Sequence, residues 1–250
     1  MTNNPSSQQR RSALYRRHLA LGAQFELRGK ALCIAQYAEQ AHQTEQQQAR
    51  CLGLCDLSTM PRTGFKGSTA IDWLKTQSVV LPSAINTTAE QPSGSLCAQL
   101  SHQEVLLLSD LRCQSEDIAR LNQPIDNLAD DSFQQTYELP RADSHCWLAI
   151  TGSEAARMMA KLCAVDLHTD KFRNGCIAQT AVAKLNSIII RQDLSDTLCF
   201  YLLCDATCVE YIWDCLLDAM DEFAGQAIGI DALLQLHVKN GANPIRKADS

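Results

Sequence analysis

The stretch CDLSTMPRTGFKG, Cys55 to Gly67, combines an acid, hydroxyl groups, two cations and two glycines. Asp56, Ser58 and Arg62 could form a polar site there. The alternative is a structural corner, because Asp and Ser side chains also bond nearby backbone donors. In that interpretation Arg62 and Lys66 have no evident local partner. A guanidinium suits bidentate capture of a carboxylate, so the pattern predicts that these cations face another protein.

Cysteines and histidines offer a second possible chemistry. The chain has 12 cysteines and 6 histidines. The spacings Cys51-x3-Cys55 and Cys204-x3-Cys208 resemble half of a zinc site, but no matching pair or histidine spacing completes one. Buried free cysteine behaves as a small hydrophobe. We therefore expect cysteines that pack in the core and no metal site.

Known catalytic motifs are absent from the sequence. It contains no phosphate-binding loop, dinucleotide glycine fingerprint, nucleophile elbow or H-E-x-x-H motif. No residue is therefore predicted to be catalytic. The chain is interpreted as a binding or assembly module.

Composition excludes other classes of protein. Apolar residues make up 46% of the 250, and the formal net charge is −6. That charge argues against non-specific nucleic-acid binding, which needs a cationic surface. No apolar run reaches the roughly 18 residues that span a bilayer, and no secretory signal is evident. We expect a cytoplasmic protein with reduced thiols, without nucleic-acid or membrane partners.

An internal repeat predicts how the elements are arranged. Residues 65–74 recur as residues 150–159, each as a strand, a Gly-Ser pair and an amphipathic helix, 85 residues apart. Residues 94–99 are taken to match 175–179, and residues 105–110 to match 200–205.

A helix candidate follows each of the last two segments, at 115–121 and at 207–223. The second has a capping box, Thr207-x-x-Glu210, and Gly225 is predicted to end it.

This pattern predicts an α+β fold made of two packed α+β halves. The first half is assigned to residues 23–135 and the second to 136–238. Residues 1–22 are predicted to be disordered or extended, and 239–250 to be a tail. The polar stretch 122–143 is expected to connect the halves.

Three motifs resemble the gamma subunit of heterotetrameric sarcosine oxidase. They are D-L-S-x-x-P-R-x-G-F-K-G at 56–67, L-P-x-x-x-N at 81–86, and F-x-x-G followed by A-Q-T at 172–180. The resemblance covers roughly residues 50–225. It departs at Ile85, where that family often has proline.

The resemblance implies a fold like the first two domains of the glycine-cleavage T-protein. It also implies a non-catalytic subunit that assembles with alpha, beta and delta subunits. Such a complex oxidatively demethylates sarcosine and passes the one-carbon unit to tetrahydrofolate. FAD, FMN, NAD, zinc and tetrahydrofolate would lie on the other subunits, with no cofactor bound by this chain alone. Residues implied to bind partners are Arg62, Lys66, Phe172, Arg173 and Gln179.

Three alternatives remain open at the level of sequence. T-proteins carry a Gly-Gly-x-x-Asp-Asp-Leu run, but residues 93–99 here read SGSLCAQ, without acids, which argues against independent folate chemistry. The iron–sulfur-cluster maintenance branch carries a reactive cysteine in K-G-C-Y-x-G-Q-E, and NGCIAQT around Cys176 resembles it only partly. N-methylglutamate dehydrogenase has a similar subunit, so the substrate is not determined.

Overall fold

The computed structural model describes residues 10–37, 44–123, 133 and 135–237. The predicted tail at 239–250 lies outside them, as do residues 1–9 and most of the connection at 124–134. Within the described residues, no helix is long and apolar enough to cross a membrane.

The structure mixes helices with sheets that are antiparallel except for the pairing of β13 with β3, which confirms the predicted α+β class. The helices are α1 Tyr15–Ala20, α2 Glu45–Leu52, α3 Ala70–Thr76, α4 Asp117–Leu121, α5 Arg141–Ser144, α6 Ala155–Met159, α7 Val209–Asp221 and α8 Ile230–His237. The strands are β1 Ala23–Arg28, β2 Ala31–Tyr37, β3 Gly53–Asp56, β4 Arg62–Lys66, β5 Thr87–Glu90, β6 Leu96–Ser101, β7 Glu104–Leu108, β8 Tyr137–Leu139, β9 His145–Thr151, β10 Ile177–Val182, β11 Leu185–Arg191, β12 Cys199–Asp205 and β13 Gln226–Ala227.

Two large sheets form the centre of the described structure. Sheet I has the order β5-β6-β7-β4-β8, and sheet II has the order β10-β11-β12-β9-β3-β13. Each sheet therefore takes one strand from the other half of the sequence: β3 precedes sheet I but pairs with β9, and β8 pairs with β4. The boundary predicted at 135/136 separates the two halves in sequence, but the sheets exchange a strand across it.

The sheets stack face to face with helices outside them. Because successive strand residues point to opposite faces, Trp147 and Ala149 of β9 pack toward sheet I, and Leu148 and Ile150 pack under α6 and α7. On the far side of sheet I, α3 and α4 cover Phe65 and its neighbours. This helix–sheet–sheet–helix order explains why the central strands are apolar on both faces.

Two glycines occupy equivalent turns of the repeat. Gly67 has φ +135° and Gly152 has φ +106°, each between a central strand and its helix. A Cβ on Gly67 would lie 1.8 Å from the carbonyl oxygen of Gln135, and one on Gly152 would lie 2.3 Å from that of Cys51. In both halves the glycine thus admits the backbone that leads into the exchanged strand. The strand–glycine–helix order that the first repeat pair predicts is confirmed in both halves.

The second repeat pair is wrong. Residues 94–99 enter β6, the second strand of sheet I, whereas 175–179 enter β10, the outer strand of sheet II. The counterpart of β10 is β5. The third pair is right, since β7 and β12 both lie next to the central strand of their sheet.

Three local predictions also need correction. Residues 1–22 are predicted to be disordered or extended, but Tyr15–Ala20 form helix α1. The helix is held in place by His18, which is buried. Asp205 rather than Thr207 begins the α7 region, accepting from the Thr207 amide ahead of a 3-10 turn. After α7, Ala224 adopts the left-handed conformation, with φ +52°. Gly225 instead lets the chain approach Leu52, whose Cδ2 would be 2.7 Å from a Cβ there.

Candidate functional site

Asp56 ends β3 and lies at the centre of a buried polar network. Its Oδ2 accepts hydrogen bonds from His18 Nε2 at 2.9 Å and from the Ser12 hydroxyl, and its Oδ1 accepts from the Ser58 amide at 2.8 Å. Burial by itself would raise the pKa of Asp56. The hydrogen bond and the charge of His18, together with the hydrogen bonds from Ser12 and Ser58, outweigh burial and hold that pKa below its ordinary value.

His18 extends this network toward the β1–β2 hairpin. Because a carboxylate only accepts, Nε2 of His18 donates to Asp56. On the other side of the ring, Nδ1 forms a hydrogen bond of 2.8 Å with the Tyr37 hydroxyl. The ring also packs edge-on against Trp213 of α7, 5.1 Å between centroids. The network therefore fastens the N-terminal segment to β3, the hairpin and α7.

Arg62 begins β4 and is 2% exposed. Its guanidinium donates to the carbonyl oxygens of Ser58 at 3.0 Å and Met60 at 2.8 Å, both in the connection between sheets. It also donates to three carbonyl oxygens of the opposite connection, β8 to β9: Arg141 at 3.2 Å, Ala142 at 2.9 Å, and His145. Burial, with the nearby charge of Arg10, lowers the pKa of Arg62 to about 10.

The prediction that Arg62 faces a partner is therefore wrong. The sequence suggested an unpaired cation because all its acceptors are backbone carbonyls, three of them about 80 residues away. Lys66 is exposed but has a local ion pair, with Nζ 3.1 Å from Glu104. The stretch 55–67 is a structural corner in which Asp56 and Arg62 hold the two connections between sheets together.

The motif at 172–180 behaves in the same way at two of its three predicted partner residues. Phe172 is buried in the core under sheet II, which removes it from partner binding. Gln179 donates to Asn86 Oδ1 at 2.8 Å and to the Leu100 carbonyl at 2.7 Å, so it connects β10 to sheet I. Arg173 is exposed, and within the described residues its side chain has no hydrogen bond or ion pair. It is the member of the predicted set whose geometry leaves it free for a partner.

A cleft of about 220 Å³ lies between the sheets near the end of α8. The segment compared above with T-proteins lines it through Ser93, Gly94 and Leu96, together with residues 108–110, Tyr201 of sheet II and His237. A molecule bound in this cleft would have contact with both sheets.

The cleft does not fit a folate site that depends on the acidic pair. The two positions where T-proteins have acids are Cys97 and Ala98, which are fully buried in the cores on either side of sheet I. Asp110 accepts from three backbone amides of its own loop at 2.8–3.1 Å, and Glu90 accepts from Gln192 at 2.7 Å. Both acids of the cleft are therefore engaged by the protein itself.

The cysteines are mostly core residues. Cys55 and Cys204 are buried, as predicted, while Cys208 is half-buried and Cys51 is exposed. Among the residues that the structure describes, no three His, Cys, Asp or Glu side chains are placed to hold a metal ion.

Sequence reasoning missed His18 and Tyr37. Both lie far from Asp56 in sequence, and His18 lies in a segment whose polar composition suggested disorder. The one local signal was the regular pattern of Leu14, Tyr15 and His18 ahead of Leu19, which is helical in spacing.

Comparison with known proteins gives one family and one fold. Residues 14–244 match the GCVT N-terminal domain. A chain of heterotetrameric sarcosine oxidase from Corynebacterium sp. U-96, solved with pyrrole 2-carboxylate, has TM-score 0.59 and 20% identity, covering 86% of this chain and 96% of that one. Glycine cleavage system aminomethyltransferase T from Bartonella henselae has TM-score 0.66 and 18% identity, covering 92% of this chain.

The two similarities differ in extent. This chain spans only 62% of the aminomethyltransferase, but nearly the whole length of the sarcosine oxidase chain. At these identities the likeness shows a shared fold. No curated protein sequence matches the chain at a significant level.

Proposed function

Because the chain belongs to the GCVT N-terminal domain family, we propose that it is a non-catalytic assembly subunit of a multi-subunit flavoenzyme. The complex oxidatively demethylates sarcosine or a related N-methyl amino acid and transfers the one-carbon unit to tetrahydrofolate. The partners are subunits of the alpha, beta and delta type, which carry FAD, FMN, NAD, zinc and tetrahydrofolate. The complex works in the cytoplasm, which agrees with the free thiols of this chain.

The observation that carries this proposal is that, among the described residues, the cleft between the sheets has no carboxylate free to bind a cofactor. Cys97 and Ala98 replace the acids expected of a T-protein, and Glu90 and Asp110 already have partners. A chain with an aminomethyltransferase-type fold but no available carboxylate at that place is suited to assembly. The near-complete match in length to a sarcosine oxidase chain supports the same proposal.

The experiment is a purification of the tagged full chain from its native cell. We expect co-purification of three other polypeptides, a flavin absorbance spectrum, and oxidation of an N-methyl amino acid. Sarcosine and N-methylglutamate are compared to identify the substrate. A tagged unrelated protein of similar size is the control for adventitious capture.

The opposite result is a colourless protein that purifies alone. It would contradict the assembly role. A titration of that isolated chain with tetrahydrofolate, followed by fluorescence quenching, would then test the folate and cluster-maintenance alternatives directly.

A further inference from the structure

Two buried thiols lie side by side on neighbouring strands of sheet II. Cys146 of β9 and Cys204 of β12 are directly opposite in the antiparallel register, and their sulfur atoms are 3.3 Å apart. They are 2% and 1% exposed. Neither thiol takes part in the network of Asp56 or in the proposed assembly role.

The register of the strands is compatible with a disulfide. Residues directly opposite in an antiparallel pair have Cα atoms about 4.5 or 5.5 Å apart. Both values fall within the range of about 4.4–6.8 Å that disulfides span. Closing the contact from 3.3 Å to a bond of about 2.0 Å therefore requires side-chain movement and little displacement of the backbone.

The pair is placed next to an opening in the surface. A cleft of about 260 Å³ is lined by Cys146 together with Arg10, Arg62 and His145. A small oxidant can enter a space of this size, whereas a bulky peptide disulfide could not reach either buried sulfur atom. Access therefore favours a peroxide over thiol–disulfide exchange.

The two thiols are also unequal. The hydrogen bond from Cys204 lowers the pKa of Cys146 against the effect of burial, and the charge of Arg62 acts in the same direction. The same pairing raises the pKa of Cys204. Cys146 also lines the cleft, whereas Cys204 is not among the residues that line it, so Cys146 is the thiol that attacks and Cys204 the one that resolves.

We propose that Cys146 and Cys204 form a reversible disulfide when hydrogen peroxide oxidises them. The sulfur of Cys146 attacks a peroxide oxygen, the O–O bond breaks, and the departing hydroxide takes up a proton to become water. Cys146 is then a sulfenic acid. The sulfur of Cys204 attacks that of Cys146, the S–S bond forms, and the S–O bond breaks with loss of a second water. Two thiols lose two electrons and two protons, and one peroxide is reduced to two waters.

This site would respond to the product of an oxidase. Flavin oxidases pass electrons from their substrate to oxygen and release hydrogen peroxide, so the assembly proposed above would generate the oxidant beside this subunit. That source rests on the proposed function, whereas the thiol chemistry rests only on the geometry of this chain.

The test uses the isolated full chain and added hydrogen peroxide. The protein is treated with a few equivalents, unreacted thiols are blocked, and disulfides are mapped by peptide mass spectrometry without reduction. We expect a Cys146–Cys204 disulfide, loss of the mass of two hydrogens, and reversal by dithiothreitol. Because no partner subunit is present, the outcome does not depend on whether the assembly proposal holds.

Single variants separate the two roles. Cys204→Ser should leave Cys146 as a sulfenic acid that a dimedone probe labels, and Cys146→Ser should abolish that labelling. Cys199→Ser, on β12 and equally buried, is the matched control and should still form the disulfide. Circular dichroism checks that each variant is folded.

Several outcomes would overturn the proposal, and the wild-type chain alone can give them. One is that Cys146 and Cys204 remain thiols while exposed cysteines such as Cys51 oxidise. Another is a disulfide that maps to a different pair, for example Cys33 with Cys113, which both contact Met60, or Cys204 with Cys208.

Discussion

Asp56 and Arg62 are charged side chains that the fold buries almost completely, and each is satisfied in a different way. Asp56 accepts from two side chains and one amide, while Arg62 donates only to backbone carbonyls. A buried charge is tolerated when hydrogen bonds replace its hydration. At this scale the conspicuous motif in the sequence is explained by internal hydrogen bonds.

Asp56→Asn should destabilise the folded chain by about 1.5–3 kcal/mol, because the side chain keeps only one acceptor oxygen. Its amide nitrogen then faces a donor, either the Ser58 amide or the pair formed by His18 and Ser12. The effect should be measured by urea unfolding at neutral pH. Asp218→Asn, at an exposed position on α7, is the control and should change the free energy of unfolding little.

The same pair of variants predicts a difference in acid stability. The pKa of Asp56 is lowered in the folded chain, so its stabilisation is complete above its unfolded pKa of about 3.9. That contribution is lost as the pH falls through the lower folded pKa. Wild type and Asp218→Asn should lose more free energy of unfolding below about pH 4 than Asp56→Asn does. Parallel curves for all three proteins would contradict this.

Arg62→Lys should cost about 1–3 kcal/mol or more, since an ammonium cannot reach all five carbonyl oxygens and leaves some of them unpaired. Arg173→Lys, at an exposed position, should lie within about 0.5 kcal/mol of wild type. Thermal and urea unfolding of both variants measure the difference. Equal stabilities would mean that Arg62 does not hold the two connections between the sheets together.

At the scale of elements, the strand–glycine–helix unit occurs once in each half with the same function. Gly67 and Gly152 each face a carbonyl oxygen of the segment that precedes an exchanged strand. Glycine is required there both by its positive φ and by the closeness of that backbone.

Gly67→Ala and Gly152→Ala should each destabilise the chain by more than the roughly 1–3 kcal/mol that backbone strain alone costs, since the added Cβ also overlaps a carbonyl oxygen. Gly94→Ala is the control: it shares a positive φ of +88°, but its nearest contact would be the Asp110 Cβ at 3.3 Å, which a small shift relieves, so backbone strain is the main cost. Urea unfolding compares the three. A loss at Gly94 as large as at the other two would contradict the argument.

The elements show what sequence could and could not predict. The apolar strands and the glycine turns of the repeat were readable because they depend on local spacing. The pairing of β3 with β9 could not be predicted, because β3 has only four residues and its partner is determined by how the two sheets pack. Asp56 was noticed in the sequence, but its partner His18 lies 38 residues away and no local pattern links them. The prediction for Arg62 was wrong because its acceptors are backbone carbonyls, which every residue has and which a sequence therefore does not distinguish.

At the scale of the whole molecule, assembly must use surface that the internal contacts leave open. Of the predicted partner residues, Arg62 and Phe172 are buried, and Lys66 and Gln179 already have partners within this chain. Arg173 is the exposed cation whose side chain is not engaged within the described residues.

Arg173→Glu should therefore weaken the proposed complex by about tenfold in affinity, or about 1.4 kcal/mol, while the subunit stays folded. The measurement is the yield of co-purified subunits and flavin at several salt concentrations. Lys30→Glu, an exposed charge reversal in the turn between β1 and β2, is the control. A yield equal to that of the control would remove Arg173 from the interface.

The strand exchange also governs how the chain can be made in a cell. β3 leaves the ribosome about 90 residues before β9, the strand it must pair with. At roughly 5–20 residues per second, that is a wait of several seconds. During this time sheet I can form around β4, but its last strand, β8, is still to come, and Leu54 and Cys55 of β3 have no sheet to enter. Sheet I is complete only when β8 emerges, and β3 stays unpaired until β9 follows it, so the nascent chain is expected to need protection from aggregation until β9 emerges.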